Sequence, residues 1–95
     1  MALDDIVAVV CRVFDTHEDE LIAPGRKMAP SRIRGVIGLL AQEMGDATLT
    51  AVAERFGRDV SSISRNVAAV HRLIEEDRTF RKRYAQAKHD AKSQA

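Results

Sequence analysis

The sequence predicts an all-α fold, a small multi-helix bundle containing a helix-turn-helix. Three observations carry that prediction. Apolar residues recur at helical spacing along most of the chain. The stretch from Thr48 to Ile74 reads as a helix, a glycine turn and a second helix. Only one run, IVAVV at Ile6–Val10, has strand character, and no second strand candidate exists to pair with it.

Leu3 to Phe14 is the first element. Ile6, Val9, Val10, Val13 and Phe14 fit one helical stripe, with Asp4 and Asp5 near its electropositive N-terminal end. Periodicity alone does not separate helix from strand in so short a run; the missing partner strand favours helix. Thr16 to Ile22 reads as a short helix, since Thr16 and Asp19 have capping-box spacing with Asp in place of Glu or Gln, and Pro24-Gly25 stops it. The segment PGRKMAPSRIRG then reads as a loop entering a helix capped by Ser31. It holds Arg26, Lys27, Arg32 and Arg34 without an acid. Such a loop either positions a phosphate backbone, inserts an arginine into a minor groove, or is simply a basic surface.

Ile33, Val36, Ile37, Leu40 and Met44 form the cleanest amphipathic stripe and end at Gly45, which makes this the scaffold helix. Gly35 and Gly38 weaken it by roughly 1 kcal/mol each relative to alanine, which points to close helix packing. In the helix-turn-helix, about 48–74, Thr48 caps a helix whose apolar face is Leu49, Val52, Ala53 and Phe56. Gly57 supplies the left-handed turn, and Asp59 caps the second helix. On that helix Ile63, Val67, Val70 and Ile74 share a buried stripe, so Ser61, Arg65, Ala68, Ala69 and Arg72 face outward, with no acid before Glu75. Glu75, Glu76 and Asp77 interrupt the basic face. Phe80, Tyr84 and Ala87 then predict a last helix docked on the core, and the tail from Lys88 to Ala95 is expected to fray.

With 95 residues, 45% of them hydrophobic, the chain is read as a single domain with one modest core. At 4% aromatic, stacking of single-stranded bases is disfavoured. The net charge of +1 conceals an asymmetry: the first twenty residues hold six acids against Arg12 alone, and the remainder holds fourteen bases against eight acids. A basic body of this kind suits a polyanion. Cys11 has no partner for an internal disulfide and reads as a buried thiol, and neither a secretory signal nor a membrane-length apolar run is visible. A cytoplasmic, nucleoid-associated location is therefore expected. His17, His71 and His89 are scattered, so no metal site is expected. Cys11 lies in an apolar stripe that disfavours a thiolate, and no histidine is suggestively spaced from the serines at 61, 62 and 64. Neither an enzyme nor a cofactor is expected.

The chain resembles the C-terminal DNA-binding domain of the bacterial replication initiator DnaA, over roughly Ile6 to Tyr84. The most specific part is Phe56-Gly57-Arg58-Asp59-Val60-Ser61-Ser62-Ile63, which looks like the family signature of glycine, arginine and aspartate followed by histidine, two threonines and an aliphatic. Arg26, Arg32 and Arg34 fall where the family has its basic loop. The resemblance implies a helix-turn-helix docked on double-stranded DNA, with an arginine of the loop reaching a minor groove. Val60 stands where the family has a base-contacting histidine, Ser61 and Ser62 replace the threonines, and Arg65 occupies a position that is often histidine. The Asp-Val-Ser-Ser-Ile-Ser-Arg variant looks closer to the similar domains appended to repetitive-element-associated transposases than to an initiator. The initiator's ATPase part has no counterpart, since Gly25-Arg26-Lys27 lacks the phosphate-loop spacing and hydroxyl.

The expected interface follows. Ser61, Ser62, Ser64 and Arg65 meet base edges or flanking phosphates, and arginine at 65 suits guanine O6 and N7. Arg58 and Arg72 contact the backbone, while Arg26, Lys27, Arg32 and Arg34 clamp the adjacent groove. Asp59 holds the helix start, with a hydrogen bond from a cytosine amine as its alternative role. The competing reading is a helical protein-interaction module in which Ser61, Arg65 and Arg72 face a protein or water. Steep salt dependence separates the two.

Overall fold

The helix expected to act as the scaffold lies at the centre of the molecule. The computed structural model describes residues 2–23, 28–45 and 47–93. Among these residues there are six helices and no strand: α1 (Leu3–Val13), α2 (Glu18–Ile22), α3 (Met28–Met44), α4 (Leu49–Phe56), α5 (Val60–Glu76) and α6 (Arg78–Ser93). The IVAVV run is helical, with Ile6, Val7, Val9 and Val10 buried along one face of α1.

From Ile33 through Ala41 every residue of α3 is buried, because α1, α2, α4 and α5 all pack against it. Its most extensive partner is α5. The two glycines explain how close that approach is. A Cβ at Gly35 would lie 2.5 Å from the Asn66 carbonyl oxygen, and one at Gly38 would lie 2.8 Å from Val67 Cγ2. Such separations are far inside van der Waals contact. Glycine here lets α5 sit against α3, and so fixes which face of α5 remains outside.

The turn between α4 and α5 forms for local reasons that the sequence shows. Thr48 Oγ1 accepts the Ala51 N–H at 3.1 Å. Gly57 adopts φ 62° and ψ 38°, and the N–H groups of Gly57 and Arg58 close back on the carbonyls of Glu54 and Ala53. That pair of bonds is a Schellman closure, which requires the left-handed residue. Asp59 is the N-cap residue of α5 as expected, but its carboxylate makes no capping bond; its backbone carbonyl accepts from Ser62 and Ile63 instead.

Other expectations are corrected. His17, not Thr16, precedes α2, and the Thr16 hydroxyl donates to Glu20 Oε2 at 2.7 Å. A carboxylate one turn away is a stronger acceptor than a neutral group, and it claims that hydroxyl. Ser31 does not cap α3, which already begins at Met28; its Oγ accepts from Arg34 Nη2 at 3.0 Å. Arg32 and Arg34 accordingly stand on a helix and not in a loop. Pro24 and Gly25, expected to stop α2, lie outside the described residues.

The segment from Lys88 is not a frayed tail, since α6 continues to Ser93. Ala87 and Ala91 are fully buried, small enough to let α6 lie close on α1. Lys88 Nζ meets Glu43 at 2.5 Å and Arg12 meets Asp90 at 3.4 Å. The Tyr84 hydroxyl donates to the same Glu43 carboxylate. Burial first, and that carboxylate second, push the Tyr84 phenol far above its ordinary pKa. Cys11 is half-buried rather than enclosed; burial and then the charge of Glu18 raise its thiol, which keeps it protonated.

Candidate nucleic-acid interface

Helix α5 turns its apolar stripe of Ile63, Val67 and Val70 onto the core. The opposite face is therefore exposed at Ser61, Ser64, Arg65, Ala68 and Arg72, with Ser62 half-buried beside it. Arg65 Nη2 donates to Ser62 Oγ at 3.3 Å, one turn back on the same helix. No acid lies on α5 before Glu75. The chemistry of this face is hydroxyl, methyl and guanidinium.

Arg32 and Arg72, distant in sequence, line one cleft. It encloses about 280 Å³ between the start of α3 and the second half of α5, and Ser31, Asn66, Ala69, Leu73 and Glu76 complete it. Among the described residues, neither Arg32, Arg65 nor Arg72 forms an ion pair. Sequence reasoning missed Asn66 and assigned Ser31 only to capping. The available signal was the position of Asn66 one residue after Arg65 and three before Ala69, on the flank of the outward face.

Two predicted residues have other work. Arg34 is only 3% exposed, with Nη1 donating to the Leu21 carbonyl at 2.9 Å and Nη2 to Ser31 Oγ. This corrects its assignment to the outer clamp: a guanidinium enclosed between α2 and α3 does not reach an external phosphate. Arg58 Nη2 donates to the Ala23 carbonyl at 2.7 Å. The two side chains thus satisfy carbonyls at the end of α2 that the helix itself leaves without partners. Burial, and then the charge of Arg58, pull the Arg34 guanidinium below its ordinary pKa. Two guanidiniums therefore stand within electrostatic reach of each other where the end of α2 meets the helix-turn-helix. Arg26 and Lys27 lie outside the described residues.

Asp59 is exposed at the tip of α5 and free of the capping bond expected of it. Among the described residues no group of three or more His, Cys, Asp or Glu side chains could hold a metal ion, and no helix is long and apolar enough to cross a membrane. The arrangement offers hydrogen-bond donors and positive charge on the outer face of a helix packed against α3, α4 and α6.

Comparison with known proteins gives the same outline. The family model described as the bacterial dnaA protein helix-turn-helix matches residues 3–70. The chain is 34% identical over 58 residues to the chromosomal replication initiator protein DnaA of Mycobacteroides abscessus, which covers 61% of this chain and 12% of that protein. It is 28% identical over 94 residues to the protein of the same name from Wolinella succinogenes, covering 98% of this chain and 22% of that one. The chain thus corresponds to less than a quarter of the length of either relative.

Proposed function

Since the chain belongs to the family of the bacterial DnaA helix-turn-helix, a non-catalytic domain that binds double-stranded DNA, we propose that it reads a preferred duplex sequence with α5 in the major groove. Ser61, Ser62, Ser64 and Arg65 meet base edges or the phosphates beside them. Arg72 and Arg32 hold the backbone from their shared cleft, with Ser31 and Asn66 as additional donors. Arg58 serves the backbone beside the end of α2, and Arg26 and Lys27 extend the contact to the adjacent groove. Arg34 acts from inside, bracing α2 against α3.

The observation that carries this reading is the cleft that joins Arg32 to Arg72 along the flank of α5, where Glu76 also lines the cleft but forms no ion pair with either arginine. Two guanidiniums without carboxylate partners in one concavity suit a phosphate, to which arginine donates bidentately. We further propose that the chain is the DNA-binding domain of a replication-initiator-like or transposase-associated protein. Its small share of the relatives' length supports a role as one part of a larger assembly, with any ATP chemistry elsewhere.

Fluorescence anisotropy with a randomised duplex library across a salt series tests the reading. Wild type is expected to lose affinity steeply with salt. Arg32→Ala and Arg72→Ala should each flatten the logarithmic slope by about 0.9 for every phosphate the variant no longer neutralises. Arg65→Ala should relax sequence preference instead. A folded protein that binds no duplex at low salt would sink the proposal and leave a protein-interaction module standing.

A further inference from the structure

A second concavity lies on the other side of Arg32 from the cleft that reaches Arg72, and the proposed DNA contacts leave it unused. It encloses about 270 Å³ where Phe14 ends α1 and the starts of α3 and α6 come together. Phe14 and Phe80, tilted rings with centroids 5.7 Å apart, line it together with Ile33. Both rings are only half-buried. Arg83 stands at the edge, exposed and, among the described residues, without an ion pair. The acid that lines the groove, Asp77, is engaged locally, since its Oδ1 accepts the Phe80 N–H at 3.0 Å. A groove that is apolar within and cationic at its edge suits an aliphatic side chain with a carboxylate beside it.

The chain carries that chemistry on α2. Leu21 is fully buried, which leaves Asp19 and Ile22, one helical turn apart, facing outward. Ile22 is 47% exposed, and among the described residues only Val60 is a comparably open large apolar side chain. Asp19 is exposed and, among the described residues, forms no ion pair, whereas Glu18 is held by Arg55 and Glu20 by the Thr16 hydroxyl. No residue of α2 lines the groove, so α2 does not fill it within one molecule. We infer that the groove receives α2 of a second copy of this chain, with Ile22 against Phe14 and Phe80 and Asp19 paired with Arg83. Charge complementarity selects this occupant. The first twenty residues hold six acids against one base, while the first six residues of α6 hold four bases and no acid. A contact of this extent is weak and transient, and its ionic part is screened by salt.

Sedimentation velocity of the whole chain without DNA, from micromolar to millimolar concentration at low and high salt, tests the inference. Wild type should associate at low salt and dissociate as salt rises. Ile22→Ser should weaken association by about fivefold, the equivalent of one half-exposed aliphatic side chain withdrawn from water. Arg83→Glu should abolish it, and Asp19→Lys added to that variant should restore it, because the pair is then reversed and not lost. A stop at dimer means that two copies fill each other's grooves about a twofold axis, and growth past dimer means head-to-tail docking; both assign the same contact. Asp19, Ile22 and Arg83 are all exposed, so unchanged thermal unfolding of the variants separates docking from folding. Wild type that stays monomeric at low salt overturns the inference and leaves the groove to a different acidic partner. Association that Ile22→Ser leaves unchanged overturns it too, as does loss in Arg83→Glu that the reversed pair does not rescue. The assay contains no DNA, so its failure is distinct from a failure of the DNA-binding reading.

Discussion

Arg55 and Arg65 stand on the two consecutive helices of the helix-turn-helix, in opposite surroundings. Arg55 holds Glu18 through Nε and Nη2, at 2.6 and 3.1 Å, and reaches Asp4 through Nη1, tying α4 to α2 and α1. Those carboxylates raise its pKa still further above the ordinary arginine value. Arg65 has only the Ser62 hydroxyl. The same division runs through the chain: Asp90 meets Arg12 and Glu43 meets Lys88, whereas Arg32 and Arg72 share a cleft without a paired carboxylate. A guanidinium already saturated by carboxylates has few donors left for a phosphate. One flanked by hydroxyls keeps its donors and loses little by exchanging water for an anion. Asp4 and Glu18 of the acidic N-terminal segment thus both engage Arg55, and neither pairs with a cation of α5.

The largest effect is expected where the two regions share a support, at Gly35. Gly35→Ala drives a Cβ into the Asn66 backbone, which has no flexible end to move aside. The cost should be about 3 kcal/mol, the upper part of the range for overpacking. Because α5 is displaced with it, DNA affinity should fall even where the variant remains folded. Denaturant unfolding and anisotropy measured together check this; an unperturbed variant would mean that α3 and α5 do not pack as described.

The next effect separates the two kinds of arginine directly. Arg55→Ala should lower stability by about 1 kcal/mol, the scale of a partly exposed ion-pair network, and leave DNA affinity nearly intact. Arg65→Ala should change stability by less than about 0.5 kcal/mol and weaken preferred-site binding by about 1–3 kcal/mol. Parallel melts and binding curves decide the matter. Equal losses in both assays for both variants would erase the distinction between paired and available cations.

The paired set was the harder half to read from sequence. Thr48, Gly57 and the Ile63, Val67, Val70 stripe depend on neighbours within a few residues, so spacing was enough to find them. The outward face of α5 follows from the same period and was equally legible. Arg34 was not, because its interior position depends on the Leu21 carbonyl, a partner that only the packing of α2 on α3 brings near. The cleft joining Arg32 to Arg72 depends likewise on a glycine-mediated helix contact. In the final helix, Phe80, Tyr84 and Ala87 gave the docked stripe, but Ala91 extends it past the point where polar composition suggested an end. Composition reported how polar that segment is; it did not report that two alanines suffice to seat it.

The smallest expected effect probes a paired site away from α5, at Glu43. Burial works against its carboxylate, but hydrogen bonds from Lys88 and Tyr84, with the charge of Lys88, outweigh that cost and hold its pKa below the ordinary 4.5. A depressed carboxylate contributes stability that is present above 4.5 and is lost as pH falls through the lower folded value. Tyr84 works in the other direction. Its pKa is raised, so its contribution is present below the ordinary 10.0 and is lost as pH rises past it. Wild type should therefore hold a plateau in Tm between these limits and lose stability at both edges. Glu43→Gln keeps an acceptor for Tyr84 but removes the charge that Lys88 needs. Its Tm should lie below wild type by up to roughly 4–8 °C, the equivalent of about 1 kcal/mol in a domain of this size. That gap should stay constant from neutral pH down to about 4.5, the ordinary carboxyl value, and then narrow as wild-type Glu43 is protonated. A gap that persists unchanged into strong acid would show that Glu43 stabilises the α3–α6 contact by shape alone, and the contrast between paired and available charge would then rest on Arg55 without it.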